Sequence, residues 1–307
     1  MKSRADTSQK SVSSTAFSVR YLRRSRELYR RYLEAKPWMR QFYISFLGLR
    51  PGLRIVEVGS GTGDFTQYLA RLIRGRCEIT GIEAREASLQ AAITETRRAG
   101  LSGKISYKKG DANQIPIENG YADLTCCRTL LMHLPDPLSA VKEMTRITNP
   151  GGLVAAIEPS EMKSFYDPGD LEYTEKASKA YPAWLKGIRK LEGKDFAIGE
   201  KLPSVFRTAG LLNIRTEIQA DAWLDIDPRR RLKDVRDQLR FEYSVSKETR
   251  SYDRKYLVAG GLLRKQADDY LRMYESRARR LLSDSDRLRV ARVYGAAFAV
   301  TIGQSPG

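Results

Sequence analysis

Between Arg54 and Glu158 short apolar runs alternate with amphipathic helical stretches, and this alternation leaves the chain few folds to choose from. Arg54–Val58, Cys77–Glu83, Lys104–Lys109, Ala122–Cys127 and Gly152–Glu158 read as buried strands. Asp64–Ile73, Glu86–Ala99 and Pro137–Ile147 read as helices, the second stopped by Gly100. Strands separated by helices pair in parallel, because a hairpin cannot join them, and the helices then cover both faces. After Glu158 the alternation loosens. Asp170–Lys190 is helical in pattern, Gly199–Ala209 is a short helix closed by Gly210, and Leu212–Ala220 alternates as a strand. Arg229–Val290 is a long charged helical region with a break around Gly260-Gly261, and Gly295–Ile302 is a last strand. The expected class is α/β, a doubly wound and mostly parallel seven-stranded sheet with helices on both faces.

Charge divides the chain in the same places. The net charge is +17, yet residues 1–50 and residues 228–292 each carry +9, so the remainder is close to neutral. Basic additions around a neutral core are expected. Residues 1–50 would form a polar tail and a helical cap, with Pro37 separating two helices. Residues 51–225 and 294–307 would form the core, and 226–293 a basic helical insertion before the last strand. Such segments can face nucleic acid, anionic lipid or an acidic substrate. No apolar run reaches the ~20 residues that span a bilayer, and the opening MKSRADTSQKSVSS lacks the apolar stretch of a secretory signal. Cys77, Cys126 and Cys127 suit neither a disulfide framework nor a metal set, so a reduced, cytoplasmic protein is expected.

The chemistry concentrates in Ile55–Phe65, IVEVGSGTGDF. A strand ends at Glu57, a turn with Gly59, Ser60, Gly61 and Gly63 follows, and a helix begins. Glycines permit a sharp turn and the close approach of a ligand, and the helix start offers unpaired N–H groups. The spacing departs from the G-x-G-x-x-G of dinucleotide sites, with Asp64 where that pattern has Gly or Ala.

Glu57-Val58-Gly59-Ser60-Gly61-Thr62-Gly63 resembles the first motif of class I S-adenosylmethionine-dependent methyltransferases. Three further segments resemble that superfamily in its order: Gly81-Ile82-Glu83, Gly110-Asp111-Ala112 and Asn149-Pro150-Gly151-Gly152. Arg128–Pro137, RTLLMHLPDP, is similar to its segment after the fourth strand. The resemblance is strongest over about residues 50–160 and implies a Rossmann-like sheet ending in an antiparallel strand, a role for Gly295–Ile302. It implies S-adenosyl-L-methionine as cofactor. Glu83, with Ala84 beside it, would take the ribose hydroxyls, and Asp111, with Ala112, the adenine amino group. Glu57 would act at one remove near the methionine end. Arg128 would contribute backbone contacts to the cofactor, or set its charge against a substrate acid or Asp123.

Methyl transfer is an in-line displacement that gains from positioning and needs a base only if the acceptor must lose a proton. The candidates for that base are His133, the single histidine, and Glu158 at the tip of the fifth strand; each has an orienting or structural alternative. The segment Cys126-Cys127-Arg128-Thr129 lacks the Asp/Asn-Pro-Pro-Tyr/Phe of amino-methylating nucleic-acid enzymes and the Pro-Cys of pyrimidine C5 enzymes. The acceptor pocket would draw on Tyr21, Tyr29, Tyr166, Tyr181 and Trp223. A small or lipid-like acceptor, with an anionic group or a membrane surface drawn by the basic segments, is the expectation. RNA or protein substrates and a non-catalytic scaffold are the alternatives, and no RNA-binding motif is present.

Overall fold

The computed structural model describes residues 37–161, 165–166, 169–224, 227, 231–284 and 293–306. Tyr21, Tyr29 and most of the expected N-terminal cap lie outside the described residues, as do the side chains of Tyr166 and Trp223. Eight strands form one sheet: β1 (Arg54–Val58), β2 (Glu78–Glu83), β3 (Ile105–Lys109), β4 (Ala122–Arg128), β5 (Thr148–Pro159), β6 (Phe165–Tyr166), β7 (Leu212–Leu224) and β8 (Val293–Gln304). The order runs β3-β2-β1-β4-β5-β8, with β7 along the outer side of β8 and the two-residue β6 extending the inner side. β1 to β5 pair in parallel; β8 is antiparallel to each of its neighbours. The expected Rossmann-like α/β sheet is thus present, with β6 as an eighth strand.

Alternate residues of β1 and β4 feed two separate cores, as the period-2 geometry of a strand requires. Ile55, Leu124 and Cys126 lie under α1 (Pro37–Phe46) and α2 (Asp64–Leu72), against Tyr43, Phe65 and Leu69. Val56, Val58 and Cys127 lie on the other face under α4 (Pro137–Ile147) and α6 (Leu202–Thr208), against Met144 and Phe206. The neighbouring cysteines are therefore buried on opposite faces, and burial pushes both thiols well up, which makes them packing residues and not nucleophiles.

Element ends follow local chemistry. Asp136 caps α4 by accepting from Ser139 N at 3.1 Å, with Pro137 at the first helical position. α3 (Glu86–Arg98) gives way to Gly100 at φ 69°. α5 (Leu171–Glu192) starts on Asp170, which accepts from Tyr173 N, and ends at Gly193 in the left-handed conformation. Asn149–Gly152, expected as a turn before β5, is an irregularity inside it: Thr148 pairs with Ala122, and pairing resumes at Leu153.

Between β7 and β8 the chain forms a helical hairpin, α7 (Leu232–Ala259) and α8 (Arg264–Ser283). It packs on α5 at closest backbone contact. A methyl group on Gly187 would overlap the Tyr256 carbonyl, and one on Gly260 the Ala183 carbonyl. Among the described residues, no helix is long and apolar enough to cross a membrane.

Candidate cofactor and acceptor site

The carboxyl ends of β1, β2 and β4 meet at the glycine turn, the crevice where open α/β sheets hold ligands. Gly59 N and Ser60 N both donate to Ile82 O, at 2.8 and 2.9 Å, which ties the turn to β2. Gly59, Gly61 and Gly63 all have positive φ. Two of them are filled from the protein side: a Cβ on Gly59 would lie 2.7 Å from Leu130 Cδ1, and one on Gly63 would overlap the Tyr107 hydroxyl. Of the three, Gly61 alone faces open space. Gly61 thus presents the bare backbone to a ligand, whereas Gly59 and Gly63 admit protein side chains.

Glu83 ends β2 almost fully buried. Its Oε2 accepts from Gly61 N at 2.8 Å, and its Oε1 accepts from Arg85 N at 2.9 Å. One carboxylate therefore holds the crest of the glycine turn and still has lone pairs for hydroxyl donors. Ala84 is exposed beside it. Ser60 Oγ is buried with no hydrogen-bond partner among the described residues, an orphan of the kind a bound group satisfies.

Asp111 stands exposed after β3, and its Oδ1 accepts from Asn113 N at 2.8 Å and Asn113 Nδ2 at 3.1 Å. Ala112 is half-buried beside it. The following loop has no helix; one side chain organises it instead. Arg146 donates from Nη1 to Ile117 O and Asn119 Oδ1, and from Nη2 to Ile115 O. It also pairs through Nε and Nη2 with Glu143, whose Oε2 accepts from Ile115 N. All five guanidinium hydrogens are used. Sequence reading missed this clamp; its only signal is a Glu-x-x-Arg pair on a helix.

Two buried carboxylates flank Arg128. Glu57 is pushed up to about 7 by burial, against the opposing effects of the Thr66 hydroxyl it accepts from and of Arg128. Glu158 is likewise raised to about 7 by burial, against bonds from Leu131, Leu130 and Met132 N–H. Its Oε1 accepts from Leu130 N at 2.9 Å and Leu131 N at 2.8 Å. With no exposure and its oxygens taken up by backbone, Glu158 is the structural acid of the two readings, not a group facing an acceptor. It anchors the turn that starts at Thr129, a β-branched residue at φ 49°. The Arg128 guanidinium lies over the rings of Phe298 (5.0 Å) and Phe65 (5.8 Å). It does not meet Asp123, which sits at the opposite end of β4 and accepts from Arg54 N and Asn149 Nδ2. A concavity of about 270 Å³ beside Asp123 and Asn149 opens at that far edge, away from the glycine turn.

His133 follows in a 3₁₀ turn, Leu131–His133, exposed but edge-on to Phe196 at 5.4 Å. Surrounding protein, Lys194 and Arg85 hold its pKa below the usual 6.5, so the imidazole is neutral at physiological pH. Phe196 in turn meets Trp184 of α5 at 5.6 Å, and Trp184 Nε1 donates to Asp253 of α7. Among the described residues no set of His, Cys, Asp and Glu is arranged to hold a metal.

Residues 56–156 match the family described as "Methyltransferase domain". This segment is a methyltransferase domain of the class I S-adenosylmethionine-dependent superfamily. S-adenosylmethionine is the cofactor of that superfamily, and the open Gly61, the acid at the end of β2 and the orphan Ser60 hydroxyl fit it. The chain is 29% identical over 147 residues to the ubiquinone/menaquinone biosynthesis C-methyltransferase UbiE of Vibrio vulnificus, covering 48% of this chain and 52% of that protein. It therefore spans about half the length of that relative. It is also 29% identical over 192 residues to the demethylmenaquinone methyltransferase of Staphylococcus aureus, covering 59% of this chain and 76% of the other. In fold it is similar to a Haloferax volcanii methyltransferase solved with its Trm112 activator, at TM-score 0.53 and 16% identity over 95% of this chain and 97% of that one.

Proposed function

We propose that this protein transfers a methyl group from S-adenosylmethionine to a small aromatic acceptor of the quinol type, held between the carboxyl edge of the sheet and the α5–α7–α8 helices. The observation that carries the reading is the Glu83–Gly61 bond: one buried carboxylate fixes the only open glycine of the turn and keeps lone pairs for a diol. Glu83 would hold the ribose, Asp111 the adenine amino group, and the backbone of Gly59 to Gly63 the methionine end, with Ser60 Oγ completing it. The names of the two quinone-pathway relatives support the acceptor class, as does the aromatic run His133–Phe196–Trp184.

The bound cofactor supplies an electrophilic sulfonium methyl. What the protein adds is alignment of the acceptor carbon with that methyl and removal of the acceptor proton. His133 is the base: it is exposed at the edge of the site and neutral because its pKa is lowered. Glu158 is the positioning residue that sets the turn carrying His133. The division of the chain into a core of residues 51–225 and 294–307 with a basic insertion at 226–293 belongs to the same proposal. An RNA substrate is disfavoured because the hairpin's arginines are largely paired with carboxylates: Arg231, Arg240, Arg250, Arg254, Arg272, Arg279 and Arg280 each have one.

Calorimetric titration with S-adenosylmethionine and S-adenosylhomocysteine tests the cofactor half. Glu83→Ala and Asp111→Ala should each weaken binding by about 1 to 3 kcal/mol, the cost of a lost charge-assisted bond; unchanged affinity in both sinks the assignment. Turnover of a demethylated naphthoquinol tests the rest. The rate should rise with pH through a midpoint below the usual 6.5 of an imidazole, and His133→Gln should remove that rise together with most of kcat.

A further inference from the structure

Along the α7–α8 hairpin most arginines are paired with carboxylates. Lys233 and Lys247 are exposed without such a partner among the described residues, and three further cations of that kind gather at the tip. Lys255, Arg264 and Lys265 are exposed and have no carboxylate partner among the described residues; Lys255 lies over the ring of Tyr252. The same tip carries two exposed apolar side chains, Leu263 at 70% and Val258 at 41%. Neighbouring apolar residues turn inward: Leu257 is buried with Ala180, Ala267 and Leu271, and Leu262 packs against them. The turn is rigid. Gly261 N donates to Val258 O, Leu262 N donates to Leu257 O, and Gly260 is seated on the Ala183 carbonyl. Leu263 and Val258 are therefore presented to solvent by a fixed backbone.

We propose that this tip is a membrane-docking element, in which Leu263 and Val258 enter the interfacial region of an anionic lipid surface and Lys255, Arg264 and Lys265 meet its headgroups. Charge decides the occupant. Three cations with no counter-charge around an apolar pair suit a negatively charged interface, where each is worth about a factor of five in partitioning. The tip also borders the site. Gly260 touches Ala183, whose neighbour Trp184 meets Phe196, which meets His133. A lipid-like acceptor taken up at the tip would reach the imidazole along aromatic surface. That second role rests on the proposed function; the docking does not.

Sedimentation of the full chain with vesicles of phosphatidylcholine, alone and mixed with phosphatidylglycerol, tests the docking. Binding to the mixed vesicles and not to the neutral ones is expected. Lys255→Glu/Arg264→Glu/Lys265→Glu should lower it at least about a hundredfold, from the per-cation factor above, and Val258→Asp/Leu263→Asp should abolish it. These positions are exposed, so both variants should keep the thermal midpoint and the S-adenosylhomocysteine affinity. Leu263→Trp gives a direct readout: the emission of this variant, less that of the wild type, should shift to the blue on adding mixed vesicles. Equal binding to both vesicle types, binding that survives in the charge and apolar variants, an unshifted emission in Leu263→Trp, or a dimer in solution that Leu263→Asp disrupts would each overturn the proposal. Vesicle binding without S-adenosylhomocysteine binding would leave the docking standing and remove the cofactor assignment; the converse would remove the docking alone.

Discussion

The three glycines of the turn are not equivalent. Gly61→Ala adds a methyl group to open space and costs only the strain of a left-handed alanine, about 1 kcal/mol of stability. Its main effect should be on S-adenosylmethionine affinity, which should fall at least about tenfold, the equivalent of 1.4 kcal/mol. Gly63→Ala drives a methyl group into Tyr107 and should cost about 2 to 4 kcal/mol, combining strain with overpacking. Denaturant unfolding and calorimetry on the two variants separate these effects. Glu57 offers a second test at this scale. Its carboxyl is raised by burial from 4.5 to about 7 in the folded chain. Between those values the native state binds more protons than the unfolded state, so stability falls as pH rises from 4.5 to 7 and the full cost is present above 7. The cost is about 3 kcal/mol as an upper bound, from 1.36 kcal/mol per unit. Glu57→Gln removes this contribution, and unfolding curves from about pH 5 to 8 should show the wild type losing stability relative to the variant. Parallel curves would refute the raised pKa.

At the scale of elements, the loop between β3 and β4 depends on Arg146 in place of a helix. Arg146→Lys keeps the charge but cannot reproduce the planar five-donor fork. The Asp111 loop should then loosen. S-adenosylmethionine affinity should fall about tenfold, from roughly one lost charge-assisted bond, with kcat at saturation little changed. Most elements were legible beforehand because their periodicity reports burial directly. α4 lies at Pro137–Ile147 as read, and β1 at Arg54–Val58. Less was legible where backbone or distant partners decide. β5 begins at Thr148 because that residue finds Ala122, a pairing no local pattern announces. The motif marked Glu83 and Gly61 separately, but not the bond between them. Glu158 shows the limit most clearly: its place at a strand end suggested chemistry, whereas three backbone N–H groups claim it. Neither the strain at Thr129 nor the filling of Gly63 by Tyr107 has a signature in sequence.

For the molecule as a whole, the contact of α5 with α7 is a point of control. Gly187 meets the Tyr256 carbonyl, and no rotamer relieves a clash with backbone. Gly187→Ala should therefore part the helices and cost about 1 to 3 kcal/mol. Amide exchange should speed up in α5 and α7 while β1 to β4 and S-adenosylhomocysteine affinity stay unchanged. Faster exchange in the sheet as well would mean that hairpin and sheet unfold as one unit. Many arginines of the hairpin are paired with carboxylates, so among the described residues the +9 charge of residues 228–292 is exposed chiefly at lysines and at the tip, on Lys233, Lys247, Lys255, Arg264 and Lys265. Net charge alone was a poor guide to what this region can hold.

β8 lies between β5 and β7 and pairs with both along most of its length. It begins at Val293, after both of the strands it joins, so β5 and β7 are synthesised before the strand that pairs with them. Until β8 follows, β5 and β7 each expose an unpaired edge, the kind that templates association between chains. Late placement of one strand makes biosynthesis the vulnerable stage in this protein's life. Its yield in a cell should depend on translation speed and on chaperones that shield strand edges, more than on the stability of the finished molecule.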